Sequence, residues 1–292
     1  MATFSLILAT VGRTKDLDRL FNSLAAQSFL NFEVIVVDQN EDDRVLPHLE
    51  RAQSLGVVVR HLRLRPANLA AARNLGIAAA TGDWIGFPDD DCWYNCDTLE
   101  KLDARFHSIE SPSGIAVRWV EQTQTPTIAS CLTWERSSKF RDVPVSSITL
   151  FFKRSLLNRI GGFDARFGIG QWFGAAEETD LVLRALHAGA VVVYEPLAQV
   201  HHALAPPASN INAQGRMAAR RRARGTGALY AKHALPLWVI FRGLTAPILR
   251  PIMRGSFGAE LSHGIAVALG RLDGLLGWRR RRKEKQDSKI RN

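Results

Sequence analysis

The first half of the chain alternates short apolar runs with longer segments whose apolar residues recur at helical spacing. Strands are predicted at Phe4–Ala9, Glu33–Val37, Val57–Leu64 and Trp84–Phe87. Helices are predicted between them, at 15–27, 43–53 and 69–80, with Thr14 and Asn68 as N-caps of the first and third. This order predicts an α/β fold with a doubly wound, mostly parallel sheet.

The pattern continues less regularly towards the C-terminus. Helices are predicted at 97–108 and 176–187. Strands are predicted at 115–120, 147–153 and 191–194. The sheet is therefore expected to extend to the strand at 191–194.

Charge divides the chain into two parts. Residues 1–215 carry 20 lysines and arginines against 24 acids, whereas residues 216–292 carry 18 against 4. A chain of 292 residues can hold one large domain with an appendage. We therefore predict an α/β domain over 1–215 and a basic, helical C-terminal region over 216–292, with an anionic partner for the latter.

Three adjacent carboxylates, Asp89, Asp90 and Asp91, follow the buried strand that begins at Trp84. Ligands bind at the carboxyl ends of strands in open α/β sheets. Alternate residues of an extended segment point the same way, so Asp89 and Asp91 can share one hard divalent cation, Mg²⁺ or Mn²⁺. The alternative for an acidic triplet is a solvated turn, but its position directly after a buried strand favours the metal site.

Six motifs in order resemble the family 2 glycosyltransferases, which have the nucleotide-sugar-binding GT-A fold. The resemblance covers about residues 3–205. The motifs are Ser5–Arg13, Glu33–Asp38, Ala72–Asp83, the aspartate triplet, Gly161–Asp164 and Glu177–Leu181.

This resemblance implies a nucleotide pocket at the carboxyl ends of the first two strands. Thr10, Val11 and Arg13 would form its wall, and Asp38 would accept hydrogen bonds from the base or ribose. Asp83 matches a position that often contacts the nucleotide, although the first residue of a strand can also simply be exposed.

The resemblance also implies a site for the sugar diphosphate and its metal ion. Asp91 is the expected direct ligand, and Asp89 is expected near the ribose or the metal, with Asp90 between them. A histidine often completes the metal site, and here His201 and His202 cannot be separated by sequence. The alternative is an exposed loop histidine.

Arg73 is the expected phosphate partner in the same resemblance. The alternative is an arginine on a helix surface paired with an acid.

A general base must remove the proton of the acceptor hydroxyl during glycosyl transfer. The resemblance places this role in the Glu177-Glu178 pair and assigns it to Glu178. Acids in the first turn also simply complement a helix dipole. The apolar, glycine-rich segment 167–176 before the pair, with Trp172 and Phe173, is typical of a mobile loop that stacks on sugar. The alternative is that Trp172 packs in the core.

The C-terminal region combines an apolar stripe with a basic cluster. Leu269, Leu272, Leu275, Leu276 and Trp278 recur at helical spacing before Arg279–Lys283. This pattern is typical of an interfacial helix on anionic lipid. The alternative is a helix packed on the domain. Nucleic acid is disfavoured, because no binding motif is present and the front domain is acidic.

The leading functional hypothesis is an inverting, metal-dependent glycosyltransferase. It would use a nucleotide-diphosphate sugar and a lipid-linked or envelope glycan acceptor, on the cytoplasmic face of a membrane. A sugar-phosphate nucleotidyltransferase is the second hypothesis, although Ala9–Lys15 offers a single glycine for its phosphate loop. A non-catalytic binding module is the third.

Overall fold

The computed structural model describes residues 3–108, 112–122, 131–140, 146–203 and 212–290, the last nine of these by their backbone alone. The chain forms two units. The first unit comprises residues 1–164 and 181–205, and the second comprises 165–180 and 206–292.

A sheet with helices beside it builds the first unit. Its strands are β1 Phe4–Thr10, β2 Phe32–Asp38, β3 Val59–Arg63, β4 Trp84–Gly86, β5 Cys92–Tyr94, β6 Gly114–Trp119, β7 Cys131–Leu132, β8 Leu150–Lys153 and β9 Val192–His202. Its helices are α1 Leu17–Ala25, α2 Leu46–Ser54, α3 Leu69–Ala79, α4 Thr98–Phe106, α5 Trp134–Ser137 and α6 Arg154–Ile160, and α7 Glu177–His187 begins in the second unit. A short 3-10 turn, Ser147–Thr149, precedes β8.

The strand order is β3-β2-β1-β4-β8-β6-β9-β5, with β7 beside β9. The pairs β1–β2, β1–β4, β2–β3 and β6–β9 are parallel. β5, β7 and β8 run against their neighbours, so most described strands point the same way. The predicted α/β fold with a mostly parallel sheet is confirmed.

Strand β1 shows why both faces of the sheet are covered. Leu6 and Leu8 pack in one apolar cluster with α1 and α4. Ile7, which points to the opposite face, packs in a second cluster with α3 and α6. Alternation along a central strand thus supplies two cores.

One of the two predicted N-caps is confirmed, and one predicted strand is longer than expected. Asn68 caps α3 as predicted, since its side chain accepts a hydrogen bond from Ala71 N at 3.0 Å. Thr14 does not cap α1 with its side chain: the helix begins at Leu17, whose N–H donates to the carbonyl oxygen of Thr14. β9 continues to His202, well beyond the predicted end at 194, so both histidines lie on a strand rather than in a loop.

The second unit contains three long helices, α8 Ala213–Lys232, α9 Leu237–Met253 and α10 Ala259–Ile290. Glycines allow α8 and α10 to approach at the backbone. A Cβ at Gly227 or Gly274 would collide with the carbonyl oxygen of Arg271 or Arg224 respectively. No helix in the described part of the chain is long and apolar enough to cross a bilayer.

Packing within this unit changes the interpretation of the C-terminal stripe. Trp278 is 7% exposed, and its ring centroid lies 5.4 Å from those of both Phe167 and Phe173. Leu275 is also buried, whereas Leu272 and Leu276 are exposed. Trp278 and Leu275 are therefore core residues of the second unit. The side chains of residues 282 and 283 in the predicted basic cluster lie outside the described ones.

Candidate active site

Polar side chains meet at the carboxyl edge of the parallel strands. β1 and β2 are in register, with Thr10 opposite Asp38. Thr10 donates a hydrogen bond to Asp90 Oδ2 at 2.8 Å and so joins the end of β1 to the aspartate triplet. Val11 follows in the loop and is half exposed.

Asp38 is fully buried and held from two sides. Its Oδ1 accepts hydrogen bonds from the backbone N and side-chain Nδ2 of Asn40, at 2.9 and 2.7 Å. His61 Nε2 lies 3.2 Å from the other carboxylate oxygen. Asn40 was not predicted as part of the site. The sequence Asp-Gln-Asn at the end of a strand is nevertheless a recognisable turn signal, because an aspartate side chain often accepts a hydrogen bond from the backbone two residues on.

Asp89, Asp91 and His202 form a cluster that suits a divalent cation. One ligand atom from each lies within 4.8 Å of the others. Carboxylate oxygens are ligands for both Mg²⁺ and Mn²⁺, and an imidazole nitrogen beside them favours the transition metal, Mn²⁺. Asp91 Oδ1 is buried and accepts no well-aligned hydrogen bond from any described residue. The donor set therefore fits the expected metal.

Strand register separates His202 from His201. β5 and β9 are antiparallel, with Cys92 opposite His202 and Trp93 opposite His201. His202 thus lies beside the triplet, with Nε2 3.0 Å from Asp91 Oδ1. His201 stacks on Trp93 instead.

Both ring nitrogens of His201 are already engaged. Nδ1 lies 2.8 Å from Glu121 Oε1, and Nε2 lies 2.8 Å from Asn95 Oδ1. The structure therefore brings one of the two candidate histidines to the carboxylates, and it is His202.

Contacts in the cluster shift its proton affinities. The contact with His202 lowers the pKa of Asp91, and the same contact raises the pKa of His202. Burial raises the pKa of Asp90, although Thr10 and Arg13 oppose this shift. Of the two neighbouring carboxylates Asp90 and Asp91, Asp91 is therefore the more readily ionised.

Arg13 reaches the triplet from the loop after β1. Its guanidinium nitrogens lie 2.5 Å from Asp90 Oδ1 and 2.6 Å from Asp91 Oδ2. The Arg13 side chain remains 63% exposed.

Arg73 is buried at 2% exposure, so the alternative of an arginine on the helix surface is wrong in position, although Arg73 is paired with an acid as that alternative predicts. Its Nη2 lies 3.2 Å from Asp89 Oδ1 and donates to Ser147 Oγ at 2.7 Å. Nothing in the local sequence marked Ser147, because its position depends on the pairing of a distant strand.

Asp83 is not brought to this edge. It precedes β4, whose first residue, Trp84, is paired with Phe4 at the amino end of β1. The Asp83 side chain is 83% exposed and lies 3.6 Å from Arg154. Since Asp38 and the cluster of Asp89, Asp91 and His202 lie at the other end of these strands, we remove Asp83 from the candidate site.

The predicted base lies in the second unit, at the start of α7. Glu177 is 4% exposed, and its carboxylate packs against Gly168, which has a φ of +108°. Glu178 is partly exposed. Two residues on, the fully buried Asp180 lies 2.7 Å from Lys232 Nζ and 3.0 Å from His233 Nε2.

A doubly wound sheet with a carboxylate–histidine cluster and a buried aspartate at its carboxyl edge is typical of α/β proteins that bind a ligand at that edge. The model of Glycosyl transferase family 2 matches residues 5–155, which is more than half of the chain. The chain belongs to this family.

Two curated relatives illustrate the similarity. A Pre-mycofactocin glycosyltransferase of Mycobacterium tuberculosis is 30% identical over 218 residues, covering 71% of this chain and 42% of the relative. Poly(ribitol-phosphate) beta-N-acetylglucosaminyltransferase TarS of Staphylococcus aureus is 34% identical over 103 residues, covering 34% of this chain and 18% of TarS. The chain thus spans less than half the length of both.

Solved structures support the fold. Residues 1–349 of S. aureus TarS in complex with UDP-GlcNAc match with a TM-score of 0.61 at 17% identity, covering 92% of this chain and 90% of that one. The mannosyltransferase PcManGT of Pyrobaculum calidifontis, in complex with GDP-Man and Mn²⁺, matches with a TM-score of 0.58 at 16% identity, covering 94% and 75%.

Proposed function

We propose that this protein is an inverting, metal-dependent glycosyltransferase that moves a sugar from a nucleotide-diphosphate donor to a hydroxyl acceptor. The observation that carries the proposal is the cluster of Asp89, Asp91 and His202 at the carboxyl edge of a family 2 sheet. Neighbouring structures that hold UDP-GlcNAc or GDP-Man with Mn²⁺ support the same donor class.

Each group at this edge has a chemical task. Asp38, whose two carboxylate oxygens contact Asn40 and His61, would accept hydrogen bonds from the base or ribose in exchange for one of these contacts, beside the wall formed by Thr10 and Val11. Asp89, Asp91 and His202 would hold Mg²⁺ or Mn²⁺, and such an ion offsets negative charge on the departing nucleoside diphosphate. Arg13 provides a further cation for the phosphates, since its guanidinium is exposed and adjacent to the cluster.

Arg73 acts as a positioning residue in this scheme. It is buried, and it holds Asp89 through the contact between Nη2 and Oδ1. We do not assign Arg73 a direct contact with phosphate, because its side chain is buried and its Nη2 already contacts Asp89 and Ser147.

Glu178 is proposed as the general base on the position it holds in the family motif. A base that deprotonates the acceptor hydroxyl allows a single direct displacement, which inverts the anomeric centre. Glu177, by contrast, is buried against the glycine-rich loop.

We further propose a lipid-linked or envelope glycan precursor as acceptor, with the protein held at the cytoplasmic face of an anionic membrane. This proposal is supported by the composition of residues 216–292, which contain 18 basic and 4 acidic residues, since basic segments are attracted to anionic lipid.

The test is incubation of the purified protein with a panel of nucleotide sugars, including UDP-GlcNAc and GDP-Man, with Mn²⁺ or Mg²⁺ and a hydroxyl acceptor. Release of nucleoside diphosphate, abolished by chelation and in Asp91→Asn, is expected. Formation of nucleotide sugar from a nucleoside triphosphate and a sugar phosphate would favour a nucleotidyltransferase. Nucleotide binding without turnover across the panel would favour a binding module.

A further inference from the structure

Helix α9 exposes large apolar side chains along one face. The exposed residues are Leu237, Trp238, Phe241, Leu249, Ile252 and Met253, and Phe257 follows in the turn before α10. Four of them are more than two thirds exposed, with Leu237 at 80%, Phe241 at 69%, Met253 at 84% and Phe257 at 71%. We call these seven residues the α9 surface.

Helical geometry makes this surface contiguous. At ~100° per residue, its six helical members fall within one half of the circumference. Val239 and Ile240, which are buried, lie on the other half. The helix therefore packs on the protein through one side and presents an apolar side to solvent. A contiguous exposed apolar surface of this kind marks a site of interaction with another molecule or a membrane.

Arginine is the only charged residue type in the segment that carries this surface, and the next acid along the chain is the exposed Glu260 in the first turn of α10. Residues 235–259 contain three arginines, Arg242, Arg250 and Arg254, and neither aspartate nor glutamate. The Arg242 guanidinium lies 5.2 Å over the Trp238 ring, and Arg250 and Arg254 are exposed. An apolar face with aromatic rings and flanking arginines suits the boundary between lipid acyl chains and phosphate headgroups.

We propose that the α9 surface is the element that docks this protein on an anionic lipid bilayer, lying in the interface without spanning it. This proposal rests on the membrane association proposed above and identifies the surface responsible. A second copy of the chain is a poorer occupant, because a symmetric contact would bring the same arginines together with no acid in the segment.

The C-terminal stripe of α10 is less suited to this role than its sequence suggests. Leu269, Leu272 and Leu276 are exposed at 42%, 39% and 44%, but Trp278 and Leu275 are buried among residues of the second unit, so the stripe lacks its aromatic residue at the surface. α9 retains its aromatic residues, Trp238 and Phe241, on the exposed side. Docking is therefore assigned to α9.

Vesicle co-sedimentation of the full chain tests the assignment, with phosphatidylcholine vesicles made with or without phosphatidylglycerol. The double variant Trp238→Ser/Phe241→Ser should bind the anionic vesicles at least about tenfold more weakly, since two interfacial aromatic side chains are lost. Trp238→Phe should bind like the wild type. Leu30→Ser is the matched control, because Leu30 is 72% exposed in the first unit.

The arginines are tested separately. Arg250→Gln/Arg254→Gln should weaken binding to anionic vesicles and reduce its salt dependence, while binding to neutral vesicles stays unchanged. Circular dichroism should show that all variants keep the wild-type fold, since the altered residues are exposed.

Three results would overturn the proposal. The first is equal vesicle binding by the wild type and Trp238→Ser/Phe241→Ser. The second is an equal loss of binding in Leu30→Ser. The third is vesicle-free dimerisation, seen by sedimentation velocity, that the double variant abolishes. UDP binding, measured by calorimetry, should be the same in the wild type and the double variant. If neither protein binds UDP, the proposed donor site is wrong, whereas the vesicle experiment still tests the docking surface.

Discussion

The guanidinium of Arg13 is paired with the same aspartate that is expected to bind the metal ion: Nη1 lies 2.6 Å from Asp91 Oδ2. Asp90 is the second partner of this guanidinium. Arg13 thus acts as a counter-cation of the triplet, and although it contacts Oδ2 rather than the Oδ1 beside His202, its positive charge opposes the binding of a divalent ion by Asp91.

Replacing Arg13 should therefore strengthen metal binding when no nucleotide is present. We expect Arg13→Gln to bind Mn²⁺ about twofold to fivefold more tightly, a modest change because the side chain is mostly exposed and its ion pairs are screened. Nucleotide affinity should fall in the same variant, since a phosphate partner is lost. Mn²⁺ titration followed by electron paramagnetic resonance measures the first effect, and Arg51→Gln is the control. Weaker Mn²⁺ binding in Arg13→Gln would contradict this opposing effect.

The two adjacent histidines should differ in their effect on metal binding. His202→Asn should weaken Mn²⁺ binding by at least about tenfold, because it removes a ligand beside Asp91. His201→Asn should change Mn²⁺ affinity by less than about threefold and act mainly on stability, because it loses the contacts with Glu121 and Asn95. Isothermal titration and thermal unfolding of both variants separate these effects. The reverse order of metal affinities would contradict the assigned ligand.

Asp38 should contribute to nucleotide affinity. Asp38→Asn keeps the size of the side chain but removes its charge, and should weaken binding of the matching nucleoside diphosphate by about tenfold or more. Glu50→Gln, on the exposed side of α2, is the control. Affinity is measured by calorimetry, after thermal unfolding has shown that the buried substitution leaves the protein folded. Identical affinities in the two variants would remove Asp38 from the pocket.

Glu178→Gln should reduce turnover by roughly 10²–10⁴, because the amide cannot accept the acceptor proton. Donor affinity should stay within about twofold of the wild type, since the base acts on the acceptor. Glu177→Gln is the matched comparison from the same helical turn. Loss of turnover in Glu177→Gln alone would move the base by one residue.

Glu33 should make stability depend on pH. It is buried, and burial raises its pKa, but the hydrogen bonds that it accepts from Thr81 Oγ1 at 2.7 Å, Ser5 Oγ at 2.7 Å and Thr81 N at 2.8 Å outweigh this effect and hold the pKa below the usual 4.5. A depressed pKa gives stability that is fully present above about 4.5 and is lost as pH falls through the folded-state value.

Glu33→Gln should accordingly lower the free energy of unfolding by about 1–3 kcal/mol at neutral pH, and by less in acid. Urea unfolding of both proteins across this range measures the difference. Glu50→Gln controls for the loss of an exposed carboxylate. A difference that stays constant or grows on acidification would be inconsistent with an ionised Glu33.

Much of the fold follows from local patterns. A buried strand such as Glu33–Val37 carries apolar residues towards both faces of the sheet, so it can be recognised in the sequence before its neighbouring strands are known. The short strand β5 and helix α6 escaped prediction, because three to seven residues carry too little periodicity. Helix α9 was obscured by Pro247 and Pro251, which lie inside it.

The amino-acid sequence by itself determined that Asp38 and the triplet Asp89–Asp91 share one edge. Each follows a strand that runs in the same direction, and parallel strands end together. The tertiary structure alone decided which histidine joins them, because that choice depends on the register between β5 and β9, more than a hundred residues apart in the chain. A shift of one residue would turn His201 instead of His202 towards Asp91, since neighbouring strand residues face opposite sides.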